Sequence, residues 1–213
     1  MKLKGVLGAE KESDIFTSVS SLLMEQRLPV DVAVLAINLL SVSYCPSEDG
    51  SNVANIILGK LGSLLTTPCD NSLLRTAILE LMNRVVRAGE SELLAQMELV
   101  DVVLSFLSRI ESDKLVTYED AKLITACLTF VQQWCHIEKD LTKYLLTSTR
   151  LLPQLLTIIT LPINNKQAFG LYEAMARCWL TLTHPEEDLF IYKLSQLMSN
   201  QPKALMDTMI VPL

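Results

Sequence analysis

The chain has two histidines, His136 and His184, and each opens an acidic segment: HIEKDLTKYLL at 136–146 and HPEEDLFIYKL at 184–194. Imidazole beside carboxylates is the raw material of metal ligation and of general acid–base catalysis. The ligand sets would be His136 with Cys135 and Glu138, and His184 with Glu186 and Asp188. Neither shows the spaced Cys/His pairs of a zinc site, and no H-E-x-x-H is present. The sequence also lacks G-x-S-x-G, G-x-x-x-x-G-K-[ST] and a G-x-G-x-x-G following a strand, so nucleophile-elbow chemistry and phosphate cradling have no carrier. The carboxylate pairs Glu119/Asp120 and Glu186/Glu187 stand at polar helix starts, where capping is the expected use. We therefore expect no catalytic, cofactor-binding or metal-binding residue and no enzyme, with a cryptic metal-dependent enzyme as the remote alternative.

Composition narrows the class further. Half of the 213 residues are hydrophobic and 20% are charged, with 7 Gly and 8 Pro, which is far from a disordered chain and allows extensive burial. Aromatics are 6% while Leu is abundant, a balance that favours helix-on-helix packing. A formal charge of −6 argues against a broad nucleic-acid surface, which needs clustered Lys and Arg. The cysteines, Cys45, Cys69, Cys127, Cys135 and Cys178, form an odd set without C-x-x-C spacing, and no N-x-[ST] sequon occurs. The longest apolar run, 28–45, contains Asp31 and Asn38 and falls short of a membrane span, and GVLGA near the start is too short for a signal peptide. These features imply a reduced, intracellular, soluble chain, cytoplasmic or nuclear, with no membrane contact.

The two histidine segments belong to a longer self-match. At an offset of about 48, LITACLTFVQQWCHIEKDLTKYLL aligns with LYEAMARCWLTLTHPEEDLFIYKL, with Leu123/Leu171, Ala126/Ala174, His136/His184, Asp140/Asp188 and Tyr144/Tyr192 among the identities. LLAQMELVDVVLSFLS at 93–108 matches LLTSTRLLPQLLTIIT at 145–160, apolar position on apolar position, and Leu74, Ala77, Ile78, Leu81, Met82, Val85 and Val86 map onto Leu123, Ala126, Cys127, Phe130, Val131, Trp134 and Cys135. The period is about 50 residues. Each histidine then closes a long helix, and Asp140 and Asp188 cap the helix that follows.

Apolar periodicity and capping residues place helices at 13–26, 29–44, 51–66, 71–88, 91–97, 99–110, 118–136, 140–148, 151–161, 165–183, 187–198 and 201–210, with no strand alternation. Pro29, Asp70, Ser91, Asp140 and Asp188 mark starts; Gly89, Pro68, Pro162 and 46–51 mark stops. From residue 71 the order is long, short, medium, long. With RLLPQLLTII at 150–159, similar to G-x-I-P-x-L-V-x-L-L, this resembles a divergent armadillo/HEAT-like repeat; Arg150 and Glu98 stand where that family usually has a turn glycine. The resemblance implies an all-α, right-handed α-solenoid over 1–213, with approximate repeats 13–66, 71–110, 118–161 and 165–210, as a fragment of a longer solenoid. Cys127, Cys135, Trp134, Trp179 and Leu155 are then core residues.

A solenoid stacks repeats so that its inner helices line a concave surface, and binding is its usual use. With the long helices inner, the outward columns are Thr76/Thr125/Glu173, Glu80/Thr129/Arg177, Asn83/Gln132/Leu180, Arg84/Gln133/Thr181 and Arg87/His136/His184. The expected partner-binding residues are Glu80, Asn83, Arg84, Arg87, Thr129, Gln132, Gln133 and Arg177, with Arg84 and Arg87 as anchors. In import-type armadillo proteins an Asn ladder on this helix holds an extended peptide; here Asn83 is followed by Gln132 and Leu180, and the ladder is broken. The expected role is a non-enzymatic protein-interaction scaffold for a protein or peptide partner, helical or extended, with no direct nucleic-acid contact. A nuclear scaffold for DNA repair or meiotic recombination is the alternative.

Overall fold

The computed structural model describes residues 18–19, 21–23, 28–43, 51–66, 71–87, 99–109, 116–138, 140–159, 165–184 and 186–199; all its regular elements there are helical, and no strand occurs among them. No helix among them is long and apolar enough to cross a membrane. The expected helices 91–97 and 201–210 lie outside the described residues, as do most of 13–26, the boundary residues Asp70, Ser91, Gly89, Pro68 and Pro162, the loop 46–50, and Cys45 and Cys69. The chain divides into two compact units, Met1–Leu99 and Val100–Leu213. The division falls inside the expected repeat 71–110.

In the first unit, α1 (Val30–Ser43), α2 (Ser51–Thr66) and α3 (Ser72–Arg87) pack together, with α1 and α2 each against α3. Pro29 supplies the carbonyl that accepts the first amide of α1, from Ala33 at 2.9 Å, at a place where its own missing N–H costs nothing. Ala33, Ala36, Ile37 and Leu40 form the buried face of α1, and the small alanines let the backbones approach. Leu58, Leu61 and Leu65 do the same for α2 at helical spacing. The cap of α3 is Asn71, whose Oδ1 accepts the Leu74 amide at 2.9 Å, one residue after the expected Asp70. Arg84 and Arg87 then lie in the last turn, where cations suit the helix dipole.

The second unit begins with α4 (Leu99–Ser108), which starts at the boundary, and continues through α5 (Tyr118–Ile137), α6 (Leu141–Ser148), α7 (Leu151–Ile159), α8 (Asn165–Thr183) and α9 (Glu187–Ser199). Its central feature is the packing of α8 on α5, with α6 and α9 against α8. A capping box fixes the start of α5: Thr117 Oγ1 accepts the Asp120 amide at 3.1 Å, and the Asp120 carboxylate accepts the Thr117 amide at 3.3 Å. That is the capping use expected of Asp120. Thr149 bridges α6 to α7, donating to the Leu145 carbonyl at 2.6 Å and accepting the Leu151 amide at 3.2 Å. Pro153 sits in the first turn of α7, where no amide is needed. Leu151, Leu152, Leu155, Leu156 and Ile158 are buried, each full burial of such a side chain contributing about 1.5–3 kcal/mol.

Candidate functional site

The histidines stand apart from any cluster. His136 is exposed in the last turn of α5, and His184 is exposed just past α8, its amide donating to the Leu180 carbonyl at 3.1 Å. Among the described residues no group of three His, Cys, Asp or Glu side chains is gathered as a metal site would need.

The caps expected of the two aspartates are not made. Asp140 holds the N-cap position of α6 in a helical conformation, φ −81 and ψ −11, with no side-chain cap hydrogen bond. The extended backbone that aims an N-cap side chain at the helix amides is missing there. The α5–α6 turn is closed by main chain instead, the Leu141 amide donating to the Glu138 carbonyl at 3.2 Å. Asp188 lies inside the first turn of α9, and Glu186 precedes it at the cap, its carbonyl accepting the Phe190 amide at 2.8 Å. Asp188 therefore acts on the helix dipole as a charge near the N-terminus.

The described thiols and Trp134 are core groups, whereas Trp179, expected in the core, is only half-buried. Cys127, Cys135 and Cys178 are buried thiols that form no disulfide. Burial pushes the Cys135 thiol up to about 11 against an opposing hydrogen bond from Thr142, and burial followed by the neighbouring Cys135 raises Cys178 further. Such thiols stay protonated and poorly nucleophilic near neutral pH. Trp134 is buried and stacks on Phe130 with centroids 5.5 Å apart, its Nε1 donating to Glu138 Oε2 at 3.1 Å. Trp179 meets Phe190 edge-on at 5.4 Å.

The expected interaction columns fare differently in the two units. On α3, Glu80, Arg84 and Arg87 are exposed, but Asn83 and Thr76 are buried at 6% and 5% exposure, so neither belongs to an outward column. Thr76 donates to the Ser72 carbonyl at 2.7 Å. Arg84 Nη1 donates to the Ser41 carbonyl in the last turn of α1, one of the acceptors that a helix C-terminus leaves without an intrahelical partner. On α5, Thr125, Thr129, Gln132 and Gln133 are half-buried; on α8, Glu173, Arg177 and Leu180 are exposed and Thr181 is half-buried. The packing of α5 on α8 places Thr129, Gln132, Gln133 and Arg177 on neighbouring helices of one unit. Thr125 and Thr129 donate to the carbonyls of Ala121 and Thr125, both at 2.8 Å, which leaves their hydroxyl oxygens as acceptors. Arg177 pairs with Glu173 one turn earlier, and both side chains are more than half or about half exposed, 59% and 50%.

Sequence reasoning missed the outer face of α1, where Val32, Leu35, Leu39 and Val42 are exposed, and the exposed Tyr172 on α8. The signal was present: 30–43 is apolar over most of its circumference, interrupted by a narrow polar strip at Asp31 and Asn38, and so broad an apolar surface has more than one side to cover. It also missed the Tyr144 hydroxyl donating to Asp101 Oδ1 at 3.0 Å, a bond between α6 and α4 that raises the Tyr144 phenol. Compared with known proteins, the chain matches no family model, no curated sequence and no solved structure.

Proposed function

We propose that the chain is a right-handed, armadillo/HEAT-like α-solenoid that serves as a non-enzymatic protein-interaction scaffold inside the cell, with the α5–α8 surface of the second unit as its partner-binding face. The all-helical architecture and the sequence period of about 50 support the solenoid. The observation that carries the binding face is burial: Thr125, Thr129, Gln132, Gln133 and His136 on α5, and Glu173, Arg177, Leu180, Thr181 and His184 on α8, hold equivalent repeat positions and none of them is buried.

The chemistry of that face suits an extended peptide. Gln132 and Gln133 carry amides that both donate and accept, matching the alternating groups of a main chain, and the threonine hydroxyls add acceptors. Arg177 can exchange its solvated contact with Glu173, worth well under about 1 kcal/mol, for a partner carboxylate shielded from water. The buried, protonated thiols fit a reducing compartment.

Photo-crosslinking tests the face directly. A crosslinker at Gln133 should capture a partner, and one at Lys143, exposed on α6, should not. The triple change Gln132→Ala, Gln133→Ala, Arg177→Ala should then weaken that complex at least about tenfold with the melting temperature held. Capture from Lys143 alone, or unaltered affinity in the triple variant, would overturn the assignment.

A further inference from the structure

α1 buries one face, Ala33, Ala36, Ile37 and Leu40, in the first unit and leaves Val32, Leu35, Leu39 and Val42 exposed at 37%, 69%, 43% and 52%. The intervals along this outer stripe are three, four and three residues. Such spacing makes the narrow seam along which two helices pair, not the broader stripe that a helix lays on a globular core. From either end the stripe reads Val, Leu, Leu, Val at the same intervals. It is therefore its own complement about a two-fold axis level with Ile37, the self-matching that an isologous contact requires.

The polar groups beside the seam select the orientation. Asp31 and Asn38, one heptad apart, run along one flank and are exposed. In a parallel pair the two Asp31 carboxylates would face each other and repel. In an antiparallel pair they stand about 18 Å apart along the seam, at 1.5 Å per residue, beyond the roughly 8 Å over which salt leaves surface charges in contact. Each then lies beside the last turn of the other copy's α1, the turn whose Ser41 carbonyl accepts from Arg84. Arg84 is exposed, and among the described residues neither it nor Asp31 belongs to an ion pair. Its guanidinium offsets the negative end of that helix and gives the arriving carboxylate a counter-charge. The two Asn38 side chains are about 3 Å apart along the axis, where a pair of primary amides can donate and accept reciprocally.

We propose that two copies of this chain form an antiparallel dimer through α1, with Val32 against the partner's Val42 and Leu35 against the partner's Leu39. The contact closes on itself, so assembly stops at two. A single helix pair buries less than the roughly 1,200 Å² at which stable complexes begin, so the dimer is weak and appears as concentration rises. Every residue it uses lies in the first unit, so it stands or falls apart from the α5–α8 reading.

Sedimentation equilibrium of the full chain over a concentration series tests this. The parent should pass from monomer to dimer and no further. Leu35→Glu puts a charge at the middle of the seam, at an exposed site where Glu is a good helix former, and should be monomeric throughout with circular dichroism matching the parent. Val32→Glu and Val42→Lys test the register. Glu near the start of α1 and Lys near its end both suit the helix dipole, so the helix is kept. Each variant alone should dimerise at least about tenfold more weakly than the parent, because each places two charges against valine. Mixed in equal amounts they should recover the dimer, since the glutamate of one then meets the lysine of the other and the second contact stays valine on valine. In a parallel pair the mixture gains nothing, because position 32 would face position 32. A parent that is monomeric at every concentration overturns the proposal, as does a mass that grows past the dimer, a Leu35→Glu variant that dimerises like the parent, or a mixture that stays as weak as its components.

Discussion

α3 in the first unit and the α5–α8 pair in the second align in the sequence self-match and use their polar side chains in opposite ways. On α3, Thr76 and Asn83 are buried and Arg84 reaches the Ser41 carbonyl at the end of α1. At the same positions α5 and α8 leave Thr125, Gln132, Gln133 and Thr181 half-open to solvent, and Arg177 holds only a surface pair with Glu173. Residue type alone does not decide whether a polar column binds a partner or holds a fold; the neighbouring helix does. A polar atom turned toward another helix must find its partner inside the protein, and one left at the surface keeps its capacity for a ligand.

That contrast presumes that both units have well-formed cores, and a charge in each core is the strongest way to break it. Ile78 in the first unit and Leu155 in the second are both 0% exposed. Ile78→Asp and Leu155→Asp should each cost several kcal/mol, about 3–5 by the scale for a buried charge without its counter-ion, read as a lost or sharply lowered unfolding transition in urea. A variant with parental stability would show its residue to be at the surface, and the register of that unit would be wrong.

Much of the core was legible in the sequence because apolar periodicity is redundant: Leu151, Leu152, Leu155, Leu156 and Ile158 each repeat the same message about which side of α7 is inward. The helix starts were less legible. Asn71 and Thr117 were overlooked as caps while Asp140 was expected to be one, because a cap depends on one residue's backbone angles, which composition does not encode. The interaction columns were legible where the helix faces solvent and not where a second helix arrives. Nothing local to Asn83 distinguishes it from Gln132, yet Asn83 is buried and Gln132 is half-buried.

The next prediction sharpens the contrast between the two arginines. Arg84→Ala removes the donor to a carbonyl at the C-terminal end of α1 and should cost about 1 kcal/mol, the net worth of an intramolecular hydrogen bond. Arg177→Ala removes a solvated i,i+4 pair and should cost no more than about 0.5 kcal/mol. Chemical denaturation of both variants resolves the difference. If Arg177→Ala proved the costlier change, the second unit would be using its arginine structurally and the proposed division of labour would be reversed.

The smallest expected effects lie at helix starts, and they bear on the two histidine segments as one unit used twice. Thr117 makes a reciprocal cap with Asp120, so Thr117→Ala should cost about 0.5–2 kcal/mol. Asp140→Ala should cost a few tenths at most, because Asp140 makes no side-chain cap bond and the turn into α6 is held by the Leu141 amide on the Glu138 carbonyl. His136→Gln should be equally mild, since His136 is exposed at the end of α5 and surface substitutions of that kind change stability little. Thermal unfolding of the three variants ranks them. Should Asp140→Ala fall as far as Thr117→Ala, the α5–α6 turn in solution would use a side-chain cap, and the acidic residues after each histidine would share a local role that the backbone of Asp140 now argues against. Should His136→Gln fall that far instead, the imidazole would be holding a partner that its exposed position does not reveal, and the comparison between the two units would have to begin from that contact.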